Sequence, residues 1–126
     1  MNINNMIKSI SSKIADIIKI ILSISDMIPG SYNQVYCKCG KPTCWCYKND
    51  KGHSAKRITW YENGKYRTKA IPQKDVQWIK FATKNYKKFK KNLKILIMLN
   101  NNLIEYLRKH SKETIIKTRK KREYFK

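Results

Sequence analysis

Acidic residues are scarce in this chain: 8 Asp and Glu stand against 29 Lys and Arg, a formal net charge of +21. That imbalance argues against a merely soluble basic protein, because solubility needs far less charge. A compact state with such an excess repels itself unless a polyanion or high salt offsets it. Long hydrophobic runs are also missing. No segment reaches the ~18 apolar residues of a spanning helix. The start, MNINNMIKSI, has no basic leader region, and Lys8, Lys13, Asp16 and Lys19 interrupt any apolar core of a signal peptide. The expectation is a cytoplasmic chain, with nucleoid association as the alternative, and with reduced thiols. No proline lies beyond Pro72 and no glycine beyond Gly64. There is no internal repeat, and no constellation of base, nucleophile and orienting group, so the chain reads as a non-enzyme without a small-molecule substrate.

The basic excess is unevenly placed. Residues 1–30 carry three Lys and two Asp, residues 31–72 nine basic and two acidic groups, and residues 73–126 seventeen basic and four acidic groups. The chain therefore divides into an amphipathic segment over 1–28, a Cys-rich and strand-like segment over 29–72, and a basic segment over 73–126. In the first, Ile3, Ile7, Ile10, Ile14, Ile17, Ile21, Ile24 and Ile28 alternate spacings of four and three. This is a heptad seam, and it predicts a helix that stops at Pro29 and Gly30. Ile18, Leu22 and Met27 widen it on one flank. Isoleucine at both seam positions favours trimers or tetramers in parallel coiled coils, so one reading is a homo-oligomer through residues 3–28. The preferred reading is packing against a second helix of the same chain.

That second helix is predicted over residues 73–110. Ala82, Tyr86, Phe89, Leu93, Leu96, Asn100, Leu103 and Leu107 form its seam. Asn100, Asn101 and Asn102 are poor helix formers and predict a falter; Asn100 at a seam position would set register. A short helix over 112–122 follows. Between the helices, Asn63-Gly64 sits between two β-rich runs and predicts a hairpin with strands at 56–61 and 66–71. Ile58, Trp60 and Ile71 would share one face, and Thr59, Tyr61 and Tyr66 the other. The predicted fold class is α+β and mostly helical. The N-terminal helix and the long C-terminal helix pack as a helical hairpin or coiled coil, flanking a small Cys-rich knuckle with a β-hairpin.

All four cysteines lie in YCKCGKPTCWCYKNDKGH. A structural zinc ion takes four N or S ligands in a tetrahedron. Two sets are open: Cys37, Cys39, Cys44 and Cys46, or Cys39, Cys44, Cys46 and His53. Gly40 lets the backbone turn its amides toward a thiolate, and Pro42 tightens the bend. Residues two apart on a strand point the same way, so a C-x-C pair can reach one metal. Lys38, Lys41, Lys48 and Lys51 surround the thiols and help to offset a metal-thiolate charge.

The stretch MIPGSYNQVYCKCGKPTCWCYKNDKGH, followed by ITWYENGKYRTKAIPQKDVQWIKFATKNYKKFKKNLKIL, resembles a widespread bacterial and archaeal family of small uncharacterised proteins. The resemblance is carried by Cys39, Gly40, Lys41, Cys44, Cys46, Gly52 and His53. It implies a zinc ion on Cys39, Cys44, Cys46 and His53, with Cys37, which departs from the pattern, as the alternative ligand. SAKRIT stands where the family pattern has an aromatic run. Genes of this family are often found beside mobile-element genes, which implies a DNA-related role by association only.

The basic face points to nucleic acid. Lys80, Lys84, Lys87, Lys91 and Lys94 recur at helical spacing, and Lys88 and Lys90 broaden the row. A solvated helix face carries both signs, whereas a single-sign row suits a phosphate backbone. Lys56, Arg57, Lys65, Arg67 and Lys69 of the hairpin add to it, as do Arg119, Lys120, Lys121 and Arg122 of the tail. Lysine outnumbers arginine, which predicts backbone contact with weak sequence preference, on DNA more than on RNA. Trp45, Tyr47, Tyr61 and Tyr66 could stack on unpaired bases. The competing expectations are a coiled-coil oligomeric assembly or adaptor protein and an RNA-binding protein; a membrane-surface role is disfavoured by the weakly charged polar face of the first helix.

Overall fold

The structure is a computed structural model that describes residues 2–48 and 52–126. Lys51, one of the lysines expected round the thiols, lies outside the described residues. The element order is a helix α1 (Ile3–Ser23), strands β1 (Gly30–Cys37), β2 (His53–Glu62) and β3 (Lys65–Ala70), and a helix α2 (Val76–Arg119). Short 3-10 turns lie at Trp45–Lys48, Gln73–Asp75 and Glu123–Phe125. The fold is α+β and mostly helical. It falls into two compact units. A helical unit joins Met1–Ile24 to Phe89–Lys126, and a central unit is Ser25–Lys88.

In the helical unit, the Asn2 side chain caps α1 by accepting the Asn5 amide at 3.1 Å, which satisfies one of the free amides of the first turn. Ile3, Ile7, Ile10, Ile14, Ile17 and Ile21 form the more buried side of α1, with Ile10 the deepest. The first turn of α1 lies beside His110, Glu113, Thr114 and Lys117 of α2. Only an antiparallel course keeps the remaining turns of α1 on its partner. The helix ends at Ser23, short of the expected stop at Pro29. Ile24 is extended, and the Ser23 hydroxyl donates to the Ile20 carbonyl at 2.6 Å. The residues beyond Ile24 are drawn into contacts of the central unit instead.

The second helix departs from expectation in two ways. It runs unbroken to Arg119, through Asn100, Asn101 and Asn102, and absorbs most of the separate helix expected over 112–122. Three poor formers cost only about 0.5 kcal/mol each, which continuous backbone bonding on both sides outweighs. Its buried side also differs. Asn92, Leu96, Leu99, Leu103 and Tyr106 are the more buried residues, while Leu93, Asn100 and Leu107 are exposed. Asn100 therefore holds no seam position. The apolar arc of this helix is wider than one partner helix can cover, and pattern alone cannot say which part of it α1 takes.

In the central unit the three strands form one antiparallel sheet in the order β1-β2-β3. The hairpin turns at Asn63 and Gly64, both at positive φ (50° and 82°), as the tight turn requires. Strand β1 was not expected. GSYNQVYC is largely polar, yet it carries the β-formers Tyr32, Val35 and Tyr36 and pairs with β2 over its whole length. Pairing places Thr59 opposite Thr68 and Tyr61 opposite Tyr66. The threonine hydroxyls meet at 3.0 Å and the tyrosine rings pack edge to face at 5.1 Å. The opposite face carries Tyr32, buried Ile58 and Trp60.

The start of α2 supplies the other half of this core through Val76, Ile79 and Ala82. Ala82 is fully buried, and its carbonyl accepts the Ile28 amide at 3.1 Å. A larger side chain would hold that segment off. The Asp26 carboxylate accepts the Trp78 indole N–H at 2.9 Å, and the Asp26 carbonyl accepts the Asn85 side-chain amide at 3.0 Å. Among the described residues, no helix is long and apolar enough to cross a membrane. Truncating Ile58 to Ala is expected to cost about 2–4 kcal/mol. The same change at exposed Tyr66 should cost less than about 1 kcal/mol, and urea unfolding of the two variants compares them directly.

Candidate metal centre

The knuckle is built from the end of β1, the turn after it and the first residue of β2. Gly40 takes φ +81°, and the chain folds back so that the Cys44 amide donates to the Lys41 carbonyl at 3.1 Å. The Trp45–Lys48 turn then carries Cys46 into the interior, where it is fully buried. His53 enters from the start of β2, directly across from Cys37 in the sheet register. The result brings together four donor atoms, those of Cys39, Cys44, Cys46 and His53, all within 4.8 Å of one another.

The donor geometry suits a small four-coordinate ion. Tetrahedral N and S ligands at about 2.0–2.3 Å from a metal lie roughly 3.3–3.8 Å from one another. Here the Cys39 and Cys46 sulfurs are 3.4 Å apart, inside that range, and the Cys44 sulfur is 3.0 Å from His53 Nε2, shorter by a few tenths of an ångström. These four residues could therefore bind a metal ion. Cys37 is exposed and does not belong to this group. Of the two ligand sets open in the sequence, the structure assembles the one with His53.

The protonation pattern of the site follows from its hydrogen bonds. The Lys41 amide and then the Cys46 thiol stabilise the Cys39 thiolate, lowering its pKa to about 6. Cys46 moves the other way. The Cys39 amide, 3.4 Å from its sulfur, favours the thiolate, but burial and the neighbouring Cys39 and Cys44 thiols outweigh it and raise the pKa. Cys39 is thus the more readily ionised of the two thiols, and binding a cation would release the protons the thiols still carry.

One contact was not legible in the sequence. The Trp45 ring packs edge-on against His53, with centroids 4.8 Å apart, which limits how the imidazole can turn. Gly52, just before His53, takes φ +78°, and a Cβ there would lie 2.7 Å from the Cys37 backbone. No side chain fits that approach.

The basic residues are placed as follows. Lys80, Lys84, Lys87, Lys88, Lys91 and Lys94 are all exposed on α2. Lys80 Nζ also lies over the Tyr32 ring, 5.1 Å from its centroid. Register divides the hairpin cations: Lys56, Lys65, Arg67 and Lys69 share the face of Tyr32, Ile58 and Trp60, whereas Arg57 is on the opposite face. Lys56 is half-buried, and Arg67 pairs with Glu62 at 3.6 Å. Arg119 ends α2, and Lys120, Lys121 and Arg122 form the exposed turn after it. Among the described residues, Lys84, Lys87, Lys91 and Lys94 have no acidic partner.

Three variants test the centre and the turn that leads into it. Cys44→Ser should reduce bound metal from one ion per chain to near none, whereas Cys37→Ser should retain it; elemental analysis after exhaustive dialysis reads both. Gly52→Ala should destabilise the central unit by roughly 2 kcal/mol or more, through strain at positive φ and the backbone collision, as measured by denaturant unfolding of the metal-loaded protein.

A comparison with curated proteins finds no match, and neither does a comparison with solved structures. The family model of a domain of unknown function, DUF6788, matches residues 7–80. That span covers most of α1, the whole knuckle and sheet, and the first residues of α2. With more than half of its length matched, the chain belongs to the DUF6788 family.

Proposed function

We propose that this protein is a non-enzymatic nucleic-acid-binding protein that grips the phosphate backbone with weak sequence preference, on duplex DNA before RNA. The observation that carries this reading is the single-sign row of exposed lysines along α2, from Lys80 to Lys94, in a chain of net charge +21. Residues three and four apart on a helix lie on one side of it, so the row can follow a backbone while the apolar side packs inward. Each lysine that neutralises a phosphate releases a counterion, and that release drives association.

Further support comes from the sheet. Lys65, Arg67 and Lys69 lie on the same face as Tyr32, whose ring meets Lys80 of α2. Lys65, Arg67 and Lys69 thus share a sheet face with the ring that Lys80 meets, while Arg57 is on the other face. Lysine makes point contacts rather than the forked pairs that read guanine, hence the weak sequence preference.

In this reading Cys39, Cys44, Cys46 and His53 hold a structural zinc ion. Three thiolates and an imidazole are a closed soft-donor set that leaves no open position for catalysis. The knuckle has few apolar residues of its own, so the ion would supply what a core does elsewhere.

The test is a binding titration with matched DNA and RNA, duplex and single-stranded, at several salt concentrations. Duplex DNA should bind most tightly, with affinity falling steeply as salt rises. Replacing Lys84, Lys87, Lys91 and Lys94 together by Ala should flatten the salt slope by up to about 3–4 units and weaken all sequences equally. Unchanged binding by that variant removes this face as the site, and a preference for RNA moves the assignment to that polymer.

A further inference from the structure

The helical unit leaves one side uncovered. On α2, Leu93, Ile97, Ile104 and Leu107 are 38–54% exposed. At about 100° of rotation per residue, they lie on a single arc. That arc begins where the side covered by α1 ends, and it is displaced from it in the direction of advancing residue number. On α1, Ile18 and Leu22 are 41% and 78% exposed, and they are displaced from the isoleucine side in the same sense. Because the two helices run antiparallel, displacement in the same sense brings both stripes to one side of the pair. The six side chains therefore belong to one composite apolar surface.

Charge is excluded from that surface. The chain has 29 Lys and Arg, yet the positions between the six residues are filled by Ser11, Asn100 and Ser111, while Lys8, Lys19, Lys90 and Arg108 fall beyond its edges. A pair of helices is a single layer, and a stable helical domain needs a second layer to cover its apolar side. The six residues expose on the order of 500 Å² per copy, and the small polar residues among them bring the patch toward the ~800 Å² per partner of a standard interface.

We infer that a second copy of this chain covers the surface, giving a two-fold dimer in which two helical hairpins form a four-helix bundle. A patch free of charge suits an isologous contact, in which the same surface meets itself without like-charge repulsion at its centre. The lysines at its edges and the net charge of each copy oppose the approach, so screening favours the dimer. Its salt dependence is thus opposite in sign to that of phosphate binding. This contact is distinct from the isoleucine seam, which faces α2 of its own chain, and it goes beyond the nucleic-acid reading without depending on it.

Sedimentation equilibrium of the metal-loaded full chain, without nucleic acid, tests the inference. At ~0.5 M salt the mass should rise with concentration to twice 15.0 kDa, and the association should weaken by tenfold or more when salt is lowered to ~0.05 M, as screening of like charges requires. Ile97→Glu with Ile104→Glu should be monomeric under the same conditions, with unchanged helix content by circular dichroism, since both residues are exposed. A chain that stays monomeric to ~100 µM at high salt overturns the proposal and leaves the patch to a different protein. A dimer that survives the double substitution, or a trimer or tetramer, overturns it as well.

Discussion

Segregation of charge round α2 is the constraint on which the rest of the structure depends. A chain with 29 basic and 8 acidic groups cannot pair its charges internally, so it can fold only if like charges stay hydrated on one side of each element. The long helix meets that condition along its length. Val76, Ile79 and Ala82 close the core of the central unit, and Asn92, Leu96, Leu99 and Leu103 are the side turned inward in the helical unit. The lysines from Lys80 to Lys94 stay outside both. Hydrophobic contact on those sides holds each unit together, and the lysines stay hydrated outside it.

The central unit is held by polar as well as apolar contacts. A small sheet with one buried isoleucine has little core of its own, and Asp26 ties the incoming segment to Trp78 and Asn85 while Ile28 bonds to the Ala82 carbonyl. The knuckle extends the sheet where apolar residues run out. Its three thiols and one imidazole converge there into a group that could hold a metal ion, and Gly52 passes close to the Cys37 backbone as His53 is brought in. The bonds that draw the donors together also set their protonation: the Lys41 amide favours a thiolate at Cys39, and burial favours a thiol at Cys46.

Much of this was legible from periodicity and turn chemistry. The isoleucine spacing announced α1, Asn63-Gly64 announced the hairpin and its faces, and the clustered cysteines with His53 announced the donor group. The errors share one physical origin. Strand β1 exists because β2 offers it a full ladder of partners, a non-local reward that a largely polar octapeptide does not display. The three asparagines stay helical because cooperative bonding on both sides exceeds a small local penalty. Ser23 ends α1 early because Asp26 and Ile28 have partners on another element.

The sequence by itself determined the charge imbalance, the two amphipathic helices, the tight turn and the residue types able to hold a metal, because each is a property of neighbours a few residues apart. Only the tertiary structure decided which donor completes the group, which arc of α2 lies against α1 and which stays uncovered, and on which side of the sheet each cation falls. Those outcomes depend on the direction in which distant segments approach. Cys37 and His53 stand opposite each other across two strands, yet only the imidazole is carried to the three sulfurs, because strand register and the Gly52 backbone, rather than spacing along the chain, set where each side chain ends.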